Sequence, residues 1–151
     1  MKKINAFLLF FCLPFLLDRI TKFLALYYNF ENFDFTPFIK FNLEFNRGIS
    51  WSLFHSEDPA TYFVLSTIIF CIIIFLLWYS YNRFKLNFPI YGEFLILSGA
   101  VSNFIDRLLY CGVVDFIVFH FRDFSWPTMN IADASISVGV LILIVMSLKN
   151  E

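Results

Sequence analysis

From Ala60 to Tyr81 the chain runs twenty-two residues without an Asp, Glu, Lys or Arg. A helix of about 20 mostly apolar residues crosses the hydrocarbon core of a bilayer. A soluble protein could bury such a run only inside a large core. This chain has 151 residues, of which 60% are hydrophobic and only 15% charged. A soluble domain of that size leaves too much surface wet to hide the excess. The segment therefore reads as a transmembrane helix, and the chain as an integral membrane protein.

Three more apolar segments accompany it. The spans are expected at about 4–28, 60–81, 86–105 and 131–148, giving an all-α membrane protein with four transmembrane helices in a single membrane-embedded domain, residues 1–151. The first segment starts like a secretory signal, with Lys2 and Lys3 before fourteen uncharged residues. It then ends in Leu17-Asp18-Arg19 with no small-residue cleavage site, so it reads as an uncleaved first helix. Lys2, Lys3, Arg83, Lys85 and Lys149 crowd into short tails and one tight loop, whereas Lys40, Arg47, Arg107 and Arg122 spread over two longer loops. Dense cations mark the cytoplasmic side. Both termini are expected there, with the two longer loops outside.

The first outer loop alternates. Ile39, Phe41, Leu43 and Phe45 interleave with Lys40, Asn42 and Glu44. Period two predicts a half-buried strand, a small periplasmic β element in this loop. In the second outer loop Val113–Phe119 is apolar but too short to span, and it holds one carboxylate, Asp115.

A nucleic-acid module is excluded, and other chemistries are weaker. Eleven Lys+Arg against twelve Asp+Glu leave no basic surplus for nucleic acid. His55 and His120 stand far apart with no HExxH, and there is no GxSxG, P-loop or GxGxxG. No metal and no cofactor are expected. Cys12, Cys71 and Cys111 form no CxxC and read as small buried apolar side chains.

Ionisable residues in or beside spans are costly and point to function by default. Asp18 and Lys22 are four apart, on one helical face, at ion-pair spacing. Asn103 and Asp106 share a face at the end of the third segment, Arg107 can snorkel to the interface, and Gly99 allows close helix approach. Asp115 and Asp133 each sit among apolar neighbours. Two such carboxylates at one depth suit an aspartyl hydrolase, in which one takes a proton from water while the other hydrogen-bonds the scissile carbonyl. Asp133 reads equally as a helix cap. By spacing alone, other pairings of Asp18, Asp106, Asp115 and Asp133 serve as well.

Together the motifs resemble those of the lipoprotein signal peptidase (signal peptidase II) family. Asp18-Arg19-Ile20-Thr21-Lys22 resembles its first-helix D-x-x-x-K, and Asn46-Arg47-Gly48-Ile49-Ser50 its N-x-G-x-[AS] element. Gly99 to Arg107 followed by Gly112 to Phe116 resembles its G-x-x-x-N-x-x-D-R…G-x-V-x-D-F block, and Pro127 to Asp133 its P-x-F-N-x-A-D block, with Met129 where the family has Phe. The resemblance implies an intramembrane aspartyl endopeptidase of the bacterial inner membrane. It would remove signal peptides from diacylglyceryl-modified prolipoproteins, cutting before the lipidated cysteine, and would be inhibited by globomycin. It implies a catalytic pair on Asp115 and Asp133, with Asn46, Gly48, Asn103, Arg107 and Asn130 lining or bracing the site and Asp106 supporting it. Asp18 and Lys22 would be structural or adjacent to the site, the Ile39–Phe45 strand would belong to a periplasmic β-cradle, and the enzyme would work as a monomer among membrane lipids. A small transporter or proton relay is the next class, and it would hold its carboxylates near the bilayer midplane. A structural assembly subunit, the third class, would tolerate Asp-to-Asn changes.

Overall fold

The computed structural model describes residues 3–48, 58–122 and 124–149. Four long helices carry the chain. Helix α1 runs Lys3–Tyr28, with one π-helical turn at Leu8–Cys12 just before Pro14. Proline has no N–H to donate back along the helix, and a wider turn is one way a helix absorbs that loss. Helix α2 runs Pro59–Lys85, its start capped by the Asp58 carboxylate, which accepts from the Thr61 amide at 2.9 Å. Helix α3 runs Tyr91–Tyr110 and α4 runs Ile131–Leu148.

Helices α1, α2 and α4 are long and apolar enough to cross a membrane. Their outward faces carry Leu16, Phe63, Ile72, Phe75, Leu141 and other large apolar side chains. Helix α3 carries Glu93, Asp106 and Arg107 and is the most enclosed, packed along α4 and touched by α1 and α2. The α3–α4 approach is close because both sides are small. A Cβ at Gly139 would sit 2.7 Å from the Gly92 carbonyl oxygen, and one at Gly99 would run into the Ala132 carbonyl. At the end of the bundle holding the N-terminus, Lys3 Nζ donates to Asn87 Oδ1 at 2.9 Å and Arg83 Nε lies 2.6 Å from the buried Glu93 carboxylate.

At the opposite end a four-stranded antiparallel sheet caps the bundle in the order β1 (Phe33–Thr36), β2 (Ile39–Asn46), β3 (Val113–Phe121), β4 (Phe124–Ser125). One face is aromatic, with Phe30, Phe33, Phe35 and Phe116 gathered round Phe41. The register of β2 on β3 slips between Phe41 and Glu44. There the Phe116 and Ile117 amides both donate to the Met129 carbonyl, at 3.1 and 2.9 Å. This bulge turns consecutive residues the same way and re-aims the side chains on either side of them.

Four expectations need correction. The third helix begins at Tyr91 and ends at Tyr110, not 86–105. Asn87 is left-handed at φ 59°, and Pro89 follows it, so the apolar residues from Leu86 form a turn. The β element is not confined to the first outer loop, because the second contributes β3 and β4. Arg107 is buried rather than snorkelled. Of the cysteines, Cys71 and Cys111 are exposed and Cys12 half-buried, all three as free thiols. The strand expected at Ile39–Phe45 forms and extends to Asn46, and the fourth helix has the bounds expected of it.

Candidate active site

Two polar clusters meet where the helices join the sheet. The first is built on α1 and α3. Asp18 and Lys22, one helical turn apart and both buried, form the ion pair their spacing allows, at 2.8 Å. Lys22 Nζ also lies 2.7 Å from Asp106 Oδ2 and donates to Asn103 Oδ1 at 2.6 Å. Arg19 pairs with the other oxygen of Asp106. Asp18 accepts from Ser102 Oγ at 2.6 Å and from the Ala132 amide at 2.7 Å. That amide is among the unpaired N–H groups at the start of α4, where a carboxylate also meets the positive end of the helix dipole. Asp106 in turn accepts from the Val114 amide at 3.2 Å, which anchors the start of β3.

The second cluster holds Asp115 and Asp133. Asp115 comes from β3, next to the bulge, opposite Glu44 in the register. Its Oδ1 accepts from Asn130 Nδ2 at 2.6 Å and its Oδ2 from Asn46 Nδ2 at 3.0 Å. Asp133 comes from the first turn of α4. Asn130 is the N-cap and Asp133 its reciprocal partner, the Asn130 side chain accepting from the Asp133 amide at 2.8 Å. The capping role foreseen for Asp133 is thus shared, with Asn130 as the cap. Asp133 Oδ1 accepts from Asn103 Nδ2 at 2.9 Å, and Asn103 Oδ1 accepts from Asn130 Nδ2 at 3.1 Å. The two asparagines therefore link the carboxylates, and Lys22 fixes which way the Asn103 amide points.

Both carboxylates line one cavity of about 220 Å³ with Asn46, Gly48, Asn103 and Arg107, walled by Ile69, Ala100, Val113 and Ile136. Burial pushes the Asp115 carboxyl up to about 7, and the charge of Asp133 adds to the rise, while the Asn46 and Asn130 hydrogen bonds and the Lys22 charge pull it down. Arg107 does not touch either aspartate by hydrogen bond. Its guanidinium donates to the Gly48 carbonyl and, at 3.4 Å, to that of Arg47, while Tyr62 Oη donates to the Arg107 carbonyl at 2.6 Å. It thus secures the backbone beyond Asn46, whose Oδ1 accepts from the Gly48 amide at 2.9 Å. Ile49 and Ser50, the rest of that motif, lie outside the described residues. All ten residues singled out in the sequence therefore fall in these two linked clusters. Ser102, Arg19 and Tyr62 belong to them too and were not singled out. Ser102 falls on the face of α3 shared with Gly99 and Asp106, a spacing that could have marked it.

Among the described residues no group of three or more His, Cys, Asp or Glu could hold a metal ion. The chemistry on offer is that of two carboxyl groups, one with a pKa raised to near neutrality, facing one cleft.

Residues 10–149 match the family described as signal peptidase (SPase) II. The lipoprotein signal peptidase of Coxiella burnetii is 38% identical over 147 residues, covering 95% of this chain and 90% of that protein. The lipoprotein signal peptidase of Thermodesulfovibrio yellowstonii is 31% identical over 136 residues, covering 89% and 88%. A bacterial membrane enzyme solved by the in meso method at 2.3 Å superposes with a TM-score of 0.80 at 28% identity, covering 98% of this chain and 90% of that one. With its apolar helices and this match over nearly its whole length, the chain is a multi-pass membrane protein and belongs to the signal peptidase II family.

Proposed function

We propose that this protein is an aspartyl endopeptidase acting at the membrane on prolipoproteins, that Asp115 and Asp133 are its catalytic pair, and that it cuts just before a diacylglyceryl-modified cysteine. The observation that carries the reading is the second cluster. Two carboxylates from different elements face one cleft, held by neutral amide side chains rather than by cations of their own.

In the proposed reaction the pair holds one proton near neutral pH, because two close carboxylates cannot both ionise cheaply. The ionised member takes a proton from water as its oxygen attacks the scissile carbonyl. The protonated member donates to the carbonyl oxygen and stabilises the charge that develops there. Asn46, Asn103 and Asn130 orient the pair, and Arg107 holds the Arg47–Gly48 backbone at the rim. The reaction needs neither metal nor cofactor.

In this reading α3 is the fourth span, residues 1–151 are one domain, both termini are cytoplasmic, and the sheet stands on the periplasmic side of the inner membrane. Helices α2 and α4 each pack on α3 and barely on each other, and the cavity wall includes Ile69 from one and Ile136 from the other. An apolar signal sequence diffusing in the bilayer can reach the pair through that gap, with its cleavage bond near the headgroups. A monomer suffices.

The test is incubation of the purified protein with a lipidated and an unlipidated prolipoprotein, with and without globomycin. Globomycin-sensitive cleavage of the lipidated form alone is expected. Equal cleavage of both forms would remove the lipid requirement. Cleavage that survives Asp115→Asn or Asp133→Asn would remove the pair.

A further inference from the structure

Asp115 lines a second, larger space. On the face of the sheet away from the aromatic cluster a groove of about 590 Å³ runs along β2, with Lys40, Asn42, Glu44 and Asn46 on one wall and Trp126 and Pro127 on the other. Its chemistry differs from that of the cavity beneath the pair. The cavity is walled by Ile69, Ala100, Val113 and Ile136, whereas the groove presents charged and amide side chains at every second residue of a strand. A polypeptide crossing the pair therefore meets an apolar wall on one side and a polar wall on the other.

The groove is braced. Glu44 accepts from Asn42 Nδ2 at 2.9 Å and, across the groove, from Thr128 Oγ1 at 2.7 Å. Thr128 lies in the segment that leads into α4, so this bond fixes the width between β2 and the opposite wall. Glu44 stands opposite Asp115 in the register and Lys40 opposite Val118, so the groove has a direction, from the aspartate outward to Lys40. Lys40 makes no ion pair or side-chain hydrogen bond among the described residues. The near end is anionic, with Glu44 beside Asp115, and the far end holds the cation Lys40, with Asp34 opposite it on β1.

We propose that this groove holds the substrate polypeptide that follows the scissile bond, in extended form, and that Lys40 favours an acidic residue at about the fourth or fifth position after the cysteine. The spacing comes from strand geometry: Lys40 is four residues from Glu44, about 13 Å at roughly 3.3 Å per residue, and an extended substrate covers that distance in about as many residues. The inference rests on the peptidase reading above and adds a specificity that the reading does not contain.

The test uses three lipidated precursors that differ only in having two aspartates, two glutamines or two lysines at those positions. The wild type is expected to give the highest kcat/KM on the acidic precursor, through KM, and the lowest on the basic one, with steps of about threefold to tenfold as suits partly exposed pairs. Lys40→Glu should invert the order, and Lys40→Gln should flatten it. The same precursors are titrated for binding to the Asp133→Asn protein with and without Lys40→Glu, which reads the groove without turnover. A binding order indifferent to the charge at position 40 would overturn the groove assignment. Failure of the wild type to cleave any of the three, with the binding order intact, would overturn the peptidase reading alone.

Discussion

The two polar clusters contain the same side chain in opposite circumstances. Asp18 and Asp106 are buried against cations, with Lys22 between them and Arg19 beyond. Asp115 is as deeply buried and Asp133 half-buried, yet their direct partners are the neutral amides of Asn46, Asn103 and Asn130. A carboxylate with a cation at hydrogen-bond distance can tie elements together, as Asp18 ties α1 to the first turn of α4. Burial, and then the charge of Asp133, raises the Asp115 carboxyl to about 7, and its amide partners offset only part of that rise. In the proposed mechanism this contrast divides scaffold from chemistry among four aspartates that spacing alone leaves equivalent.

The largest effect should come from the amide-held pair. Asp115→Asn or Asp133→Asn is expected to lower kcat by about a hundredfold to ten-thousandfold, the usual worth of a positioned acid or base. The double variant should be little slower than either single one, because the two act as a unit. The protein should remain folded in the membrane. Rates of purified variants on one lipidated precursor check this, and additive losses would contradict it.

The cation-held cluster should respond in stability first. Lys22→Ala leaves the buried Asp18 carboxylate without a cation and Asp106 with Arg19 alone, at a cost of about 3–5 kcal/mol, and should appear as poor accumulation and a lower melting temperature in detergent. Asp18→Asn added to it should recover part of the loss by removing one uncompensated charge. If Lys22→Ala behaved like Asp115→Asn, stable but inactive, the division between the clusters would fail.

A smaller effect should follow from the seam between them. Gly99→Ala forces a methyl against the Ala132 carbonyl and the Ile136 side chain and so pushes α3 from α4. Overpacking of this kind costs about 1–3 kcal/mol. Because Asn103 and Asp133 face each other across the same seam, activity should fall further than stability explains, as kinetics beside thermal melts would show.

The smallest effect concerns stability against pH. The folded protein holds the Asp115 proton more tightly than the unfolded chain, whose aspartate has a pKa of about 3.9. Stability from this group is therefore present at low pH, falls as pH rises toward 7, and is level above it. Asp115→Asn removes that cost, so at pH 8 the variant should melt no lower than wild type, and above it if this term dominates. A clearly lower melting temperature at pH 8 would mean that the carboxylate is structural.

Much of the architecture is legible in residue order. The Asn130–Asp133 box fixes the start of α4, and strict alternation fixes β2. Strand β3 is illegible because Val113–Val118 is almost wholly buried and the bulge at Phe116–Ile117 breaks its period. Leu86–Ile90 misleads because hydropathy does not register the left-handed turn at Asn87. The cation-held cluster is half legible: the Asp18–Lys22 pair follows from helical spacing, but the bond from the Ala132 amide to Asp18 joins residues 114 apart. The choice of Asp115 and Asp133 over the other pairings rests on the motif resemblance, since no local pattern distinguishes them.

In the proposed mechanism Asp115 and Asp133 hold one proton between them, and infrared difference spectroscopy reads it directly. The protonated-carboxyl band of the purified wild type should be present at pH 6, lose intensity with a midpoint near 7, and change in position or midpoint in both Asp115→Asn and Asp133→Asn while persisting in Asp106→Asn. A wild-type band absent at pH 6, or one untouched by either substitution in the pair, would contradict it.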